Sequence, residues 1–205
     1  GADVDRVRVV YPGFADFFKP VETARARLLA VGKFGLPSEY ILTVGNIEPR
    51  KAHTTLLRAL DLTPHAPVLA IVGSIGWRCR SIVEDIRHYE SAGRVRFLGR
   101  VDDADLPALY GAARLSAYPS FYEGFGSPVL EAMACGCPVL CSWSSSLPEA
   151  GGAAARYFRP NDVGDLAWRL RMLLGDESLL AEMRVRGVER AARFSYDKAA
   201  RQLVS

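Results

Sequence analysis

The sequence lacks any apolar run approaching the length that crosses a bilayer, so no segment reads as a transmembrane helix. Its start, GADVDRVRVV, lacks a basic stretch followed by an apolar one, and so does not read as a secretory signal. It lacks a strong charge of one sign. Lys and Arg number 26 against 23 Asp and Glu, for a net charge of +3. That tilt suits a phosphate-bearing small ligand but falls short of the clustered basic face of a nucleic-acid binder. Cysteine is sparse for a disulfide scaffold, at four in 205 residues. Cys135, Cys137 and Cys141 are separated by one and then three residues in an apolar stretch, which is not the paired knuckle of a metal site. They and Cys79 are expected to be small buried hydrophobes, and reduced thiols point to a cytoplasmic setting. Repeats and low-complexity tracts are absent. What remains is ordinary: 49% hydrophobic and 24% charged residues, enough to bury a core in one doubly wound domain.

Short β-rich runs at 40–45, 67–73, 94–99, 114–120 and 138–142 are bounded by Gly, Pro or Ser. They lack clean alternation, as strands covered on both faces do. Helical patterns lie between them, at His53–Leu62, 79–92, Leu106–Ala113 and Pro128–Cys135. Strand–helix alternation implies right-handed crossovers and a mostly parallel, doubly wound Rossmann-like sheet with helices on both faces. The chain is expected to divide into a lead-in segment 1–20 containing a strand and turns, an α/β domain 21–175, and C-terminal helices 176–205. In the last of these, Arg184, Arg186, Arg190 and Arg193 read as a solvated face.

Ligands of such sheets bind beyond the carboxyl ends of the strands, which directs attention to two loops. The first is Tyr118–Cys141, YPSFYEGFGSPVLEAMACGCPVLC. Here Glu123 precedes Gly124-Phe125-Gly126, Ser127 suits a helix N-cap and Pro128 the first helical position. A phosphate would sit well on that helix start. Glu131, expected in the first helical turn, and Glu123 would flank it, and two carboxylates suit hydroxyl-rich groups. The second loop is Val44–His53, VGNIEPRKAH, in which Arg50 and Lys51 are expected to open a helix. Cations there oppose the macrodipole, as they would if held for an anion.

These segments carry a resemblance. Gly45 with Glu48-Pro49-Arg50-Lys51, Gly73 with Gly76-Trp77, Phe97-Leu98-Gly99, Leu106 to Tyr110, Tyr118-Pro119-Ser120, Tyr122 to Gly126, Pro128 to Ala134, Gly136 to Val139 and Ser146-Leu147-Pro148-Glu149 are similar to the retaining "group 1" (family 4) glycosyltransferases. The similarity is to their C-terminal half, one of the two Rossmann-like domains of the GT-B fold. It implies that Glu123 hydrogen-bonds donor-sugar hydroxyls and Glu131 the ribose hydroxyls. Phe125, Gly126, Ser127 and Pro128 would cradle the sugar and diphosphate through their backbone. Arg50 and Lys51 would neutralise the leaving diphosphate, and Arg100-Val101 would contact the base through the backbone. Gly45, Asn46 and Leu106 complete the implied lining.

The resemblance further implies metal-independent transfer from a nucleotide-diphosphate sugar, with no cofactor and with GDP-mannose favoured. The acceptor-binding N-terminal domain of such an enzyme would be a partner domain missing from this chain, which alone should be nearly inactive. Polysaccharide building on a membrane would allow peripheral association of the whole enzyme. Relatives often carry Arg at the position of Asn46, which would loosen the grip on phosphate. The alternative from another class is a non-catalytic nucleotide-sugar or carbohydrate-binding module. Asp103-x-Asp105 matches a short metal-binding pattern of another fold, but acids belong at a helix start. His53, His65 and His88 are scattered and suit surface or helix-cap roles, with His53, close behind Lys51, the one to watch. Trp143, in a Ser-rich loop after a strand, has the best claim of the tryptophans to approach a ligand.

Overall fold

A computed structural model describes residues 8–204. In chain order the elements are α1 (Thr23–Phe34), β1 (Tyr40–Val44), α2 (His53–Asp61), β2 (Val68–Val72), α3 (Arg80–Ser91), β3 (Val95–Gly99), α4 (Leu106–Ala112), β4 (Leu115–Tyr118), α5 (Ser127–Ala134), β5 (Val139–Ser142), α6 (Leu147–Gly151), β6 (Arg156–Phe158), α7 (Val163–Leu174), α8 (Glu177–Ala191) and α9 (Tyr196–Leu203). The six strands form one sheet in the order β3-β2-β1-β4-β5-β6, every pairing parallel.

The expected doubly wound sheet is therefore present, and the two faces are divided by alternate residues of each strand. Tyr40, Leu42, Ala70, Val72, Tyr118, Val139 and Cys141 face one core with Ala26, Ala30, Leu109, Leu130 and Met133 of α1, α4 and α5. Ile41, Leu69, Ile71, Leu115, Ala117 and Leu140 face the other, with Leu56, Leu60, Ile86, Leu166 and Leu170 of α2, α3 and α7. Alternation was invisible in the sequence because both faces take apolar side chains. All four cysteines are free and buried, as small hydrophobes in these cores.

Three expectations need correction. The expected lead-in strand is not formed over residues 8–20, which have a turn but no regular element, and residues 1–7 lie outside the described part. Tyr11 there packs on Phe125 and Phe194, with ring centroids 5.6 and 5.8 Å away. An unforeseen sixth strand, Arg156–Phe158, closes the sheet edge; three residues are too few to show a pattern. Nor are the arginines of α8 only a solvated face. Arg184 donates to the Gly136 carbonyl at 2.9 Å, and Arg190 to the carbonyls of Glu149 and Ala150 while lying over the Phe194 ring. Each guanidinium thus takes up carbonyls left over at the ends of neighbouring helices.

Candidate functional site

The strand order reverses direction at β1 and β4, the switch point at which an open α/β sheet offers a crevice beyond its carboxyl ends. The two loops singled out in the sequence leave from these two strands. A backbone bond stitches them together: Phe121 N–H donates to the Arg50 carbonyl at 2.8 Å.

Arg50 and Lys51 do not open a helix. They belong to a 3-10 turn, Pro49–Lys51, and α2 starts at His53 after Ala52, which is held at φ 53°, ψ 34°. That left-handed conformation costs an alanine about 1–2 kcal/mol. The cations are instead countered by Glu123. Lys51 Nζ lies 2.8 Å from Glu123 Oε1 and Arg50 Nη1 3.0 Å from Oε2. Lys51 is buried and also donates to the Tyr118 hydroxyl at 2.5 Å; that hydroxyl donates to Glu123 Oε1 at 3.1 Å. The Ser120 hydroxyl is a further donor to Oε1, at 2.5 Å. Burial pushes the Glu123 pKa up, but donors from Lys51, Ser120 and Arg50 outweigh it and hold the carboxylate below its ordinary range.

A clasp of serines after β5 secures the same loop. Ser145 and Ser146 hydroxyls donate to the Glu123 carbonyl at 2.6 and 3.0 Å, and Ser144 donates to that of Phe121. Ser145 is itself in the left-handed region, at φ 51°. Gly126 is required as glycine: at φ 96°, an added Cβ would come 2.6 Å from Leu147 Cδ2.

Two sequence readings of α5 are corrected here. Gly126, not Ser127, is the cap residue, with no side-chain cap bond; Ser127 is the first helical residue and Pro128 the second. Glu131 therefore falls in the second turn, not the first. Its carboxylate is 3.5 Å from the Tyr110 hydroxyl of α4. Burial, with Asp103 nearby, raises its pKa to about 7 against the smaller opposing pulls of Tyr110 and Lys51. Lys51 and Asp103 both act on Glu131, which links it to the cation cluster on one side and to the 100–106 loop on the other. Within that loop Val101 and Leu106 are buried in the core and Arg100 is exposed. Asn46 is exposed on the β1 loop, where its Oδ1 accepts from Ser74 N–H at 3.3 Å, and Gly45 lies against the Lys51 stem. Phe125 is half-buried, its ring 5.6 Å from that of Phe194.

Of the other residues weighed, Asp105 pairs with Lys33 at 2.6 Å and Asp103–Asp105 form the turn leading into α4, as expected of a helix start. Glu149 lies in the first turn of α6. Trp143 is exposed, its ring edge-on to Tyr157 at 4.9 Å. His53 is not on the surface. It is buried, its Nδ1 has no hydrogen-bond partner, and burial together with Lys51 depresses its pKa to about 4. Tyr118, Ser120 and Ser146 entered the sequence reading only as residues of the resemblance, with no role given, and the serine clasp as such was missed. The only signals were a phenol ending an apolar strand and three serines in a row.

A doubly wound parallel sheet, with carboxylates and cations gathered at its switch point, defines the class, a Rossmann-like α/β domain. More particularly, this chain belongs to the family described as "Glycosyl transferases group 1", which matches residues 27–193. Over 170 residues it is 41% identical to O-antigen chain mannosyltransferase B of Escherichia coli, a match covering 81% of this chain and 45% of that protein. The fold is that of the Anabaena protein Alr3699/HepE solved in complex with UDP and glucose (TM-score 0.87, 23% identity, 100% of this chain, 57% of that one). It is also that of the C-terminal domain of the Francisella tularensis group 1 protein LpcC (TM-score 0.73, 24% identity, 88% of this chain, 97% of that one). The chain spans between about a quarter and a half of the length of the curated relatives it matches.

Proposed function

We propose that this chain is the donor-binding half of a retaining glycosyltransferase that takes a sugar from a nucleotide-diphosphate sugar, with mannose from GDP-mannose favoured. The observation that carries the reading is the Arg50–Glu123–Lys51 cluster at the β1–β4 switch point with Glu131 beside it. The names of the curated relatives, mannosyltransferases among them, support the choice of sugar. The acceptor would be held by a second domain facing this one.

Glycosyl transfer passes through an oxocarbenium-like state in which positive charge gathers on the sugar and negative charge on the leaving diphosphate. Arg50, Lys51 and the backbone N–H groups at the start of α5 are placed to receive that negative charge. Each preorganised donor of this kind is worth roughly 3–4 kcal/mol of barrier. Two cations and a helix terminus can supply this stabilisation without a metal. Glu123 would accept from sugar hydroxyls and Glu131, as a carboxylate, from the ribose diol.

Calorimetric titration with GDP, UDP, dTDP and ADP, followed by their sugar conjugates, tests the reading. Selective binding of one nucleotide, tightened by its sugar, is the expected result. If the chain, joined to an acceptor-binding half, binds none of them, the reading fails.

A further inference from the structure

Tyr118 ends β4, and its ring is buried at 3% exposure. A buried phenol needs a partner for its hydroxyl, and phenylalanine would fill the same core space without that requirement. The partners found are not incidental backbone groups. The hydroxyl accepts from Lys51 Nζ and donates to Glu123 Oε1, so it lies between the two residues that define the candidate site. Burial, reinforced by Glu123, lifts the phenol pKa well above its ordinary value, which keeps the donated proton in place.

Counting donors and acceptors shows what this achieves. An ammonium has three N–H groups. Two of those on Lys51 are committed, to Tyr118 and to Glu123, leaving one. Glu123 Oε1 takes three donors, from Lys51, Tyr118 and Ser120, whereas Oε2 meets the half-exposed Arg50. The anchored oxygen is therefore Oε1, and Oε2 is the one that can turn to a ligand.

We propose that Tyr118 is a positioning residue of the donor site. Its hydroxyl holds Lys51 and Glu123 in register so that the Oε2 side of the carboxylate is presented to the sugar of a nucleotide-diphosphate sugar. The proposal rests on the donor-binding reading given above. Without the hydroxyl, Lys51 and Glu123 keep their 2.8 Å contact but lose the shared third partner that fixes its orientation, and the sugar-reading geometry is lost while the ribose grip at Glu131 stays.

The test uses whichever pair, GDP and GDP-mannose or UDP and UDP-glucose, the unaltered chain binds. Tyr118→Phe should lower affinity for the sugar nucleotide about tenfold, the scale of one hydrogen bond to a charged group, and that for the free nucleotide by much less. In a Glu123→Gln background the same change should alter the ratio no further, because residues acting through one another are not additive. A second measurement needs no variant to fold. In chain grown with fluorotyrosine, the Tyr118 resonance should move on saturation with the sugar nucleotide more than with the nucleotide. An unchanged affinity ratio, additivity with Glu123→Gln, or an unmoved resonance would overturn the proposal. So would parallel losses for both ligands with a lowered melting temperature, which would mark a packing role. Failure of the chain, joined to an acceptor-binding half, to bind any of GDP, UDP, dTDP, ADP or their sugar conjugates would instead overturn the donor-binding reading, and this proposal with it.

Discussion

Lys51 Nζ and Glu123 Oε1 lie 2.8 Å apart, brought together from the loops after β1 and β4. With Arg50 on the other carboxylate oxygen and also 3.1 Å from Glu48 Oε2, both cations of the site are already paired with carboxylates of the chain itself. On the proposed donor-site reading, a diphosphate would have to share them. On that reading Glu123 would do two things: lower the affinity of the site for bare diphosphate and offer an acceptor to sugar hydroxyls.

Replacing Glu123 by Gln should separate these effects. Removing one negative charge a few ångströms from the phosphates should raise affinity for the free nucleoside diphosphate by about tenfold, or about 1.4 kcal/mol. The advantage of the sugar conjugate over the free nucleotide should vanish. Titration of both ligands checks this, and weaker binding of free nucleotide by the variant would contradict it.

Glu131 should make nucleotide binding pH-dependent. Burial raises its pKa to about 7, so below that pH much of the free protein carries a protonated carboxyl. A ribose diol donates to a carboxylate, which means that binding favours the ionised form and expels the proton. Affinity should fall as pH drops below about 7, and binding near that pH should release a proton. Calorimetry in buffers of different ionisation heat measures the release. Glu131→Gln should abolish it.

Glu131 and His53 should act on stability in opposite directions. The folded pKa of Glu131, about 7, lies above its ordinary 4.5, so its contribution is complete below about 4.5 and is lost as pH rises through about 7. The folded pKa of His53, about 4, lies below its ordinary 6.5. Its contribution is therefore complete above about 6.5 and is lost as pH falls through about 4. Each is worth about 3 kcal/mol at its limit. The two largely cancel between these limits. Urea unfolding should show that, relative to the unaltered chain, His53→Gln gains stability on acidification from pH 6.5 to 4, whereas Glu131→Gln loses it from pH 7 to 4.5.

Ala52 is a strained residue beside a site residue. At φ 53° it sits where glycine is at ease. Ala52→Gly should relieve about 1–2 kcal/mol of strain, less the 0.4–1 kcal/mol that a glycine's looser unfolded chain costs. The net gain, at most about 1.6 kcal/mol, should raise the melting temperature by up to about 3–6 °C. An unchanged or lower melting temperature would show that the turn is held by other means.

Much was legible from local pattern. Strand runs bounded by Gly, Pro and Ser placed five of the six strands, and Leu56, Leu57 and Leu60 at helical spacing placed α2. The candidate site residues Arg50, Lys51 and Glu123 were visible as charges in glycine loops after strands, and Glu131 as an acid in the helix that follows. Their mutual relation was not. Sequence spacing suggested cations at a helix start, whereas a left-handed Ala52 takes them out of the helix and toward Glu123. Gly126 displaced Ser127 as cap because its φ of 96° is open to glycine and not to serine. His53 looked like a surface histidine because nothing in a helix start says which way the first side chain turns.

The sequence by itself determined the sheet class, the loops that carry the chemistry and the charged residues in them. These follow from the hydrophobic period and from turn residues, which act over a few neighbours. Only the tertiary structure decided the partners: Tyr118 between Lys51 and Glu123, the serines of the β5 loop on the Glu123 carbonyl, and Tyr110 beside Glu131. Those contacts join residues on different strands and helices. The side chains meet because a parallel sheet brings the carboxyl ends of β1, β4 and β5 to one edge, where burial leaves each polar group to find its partner within the protein.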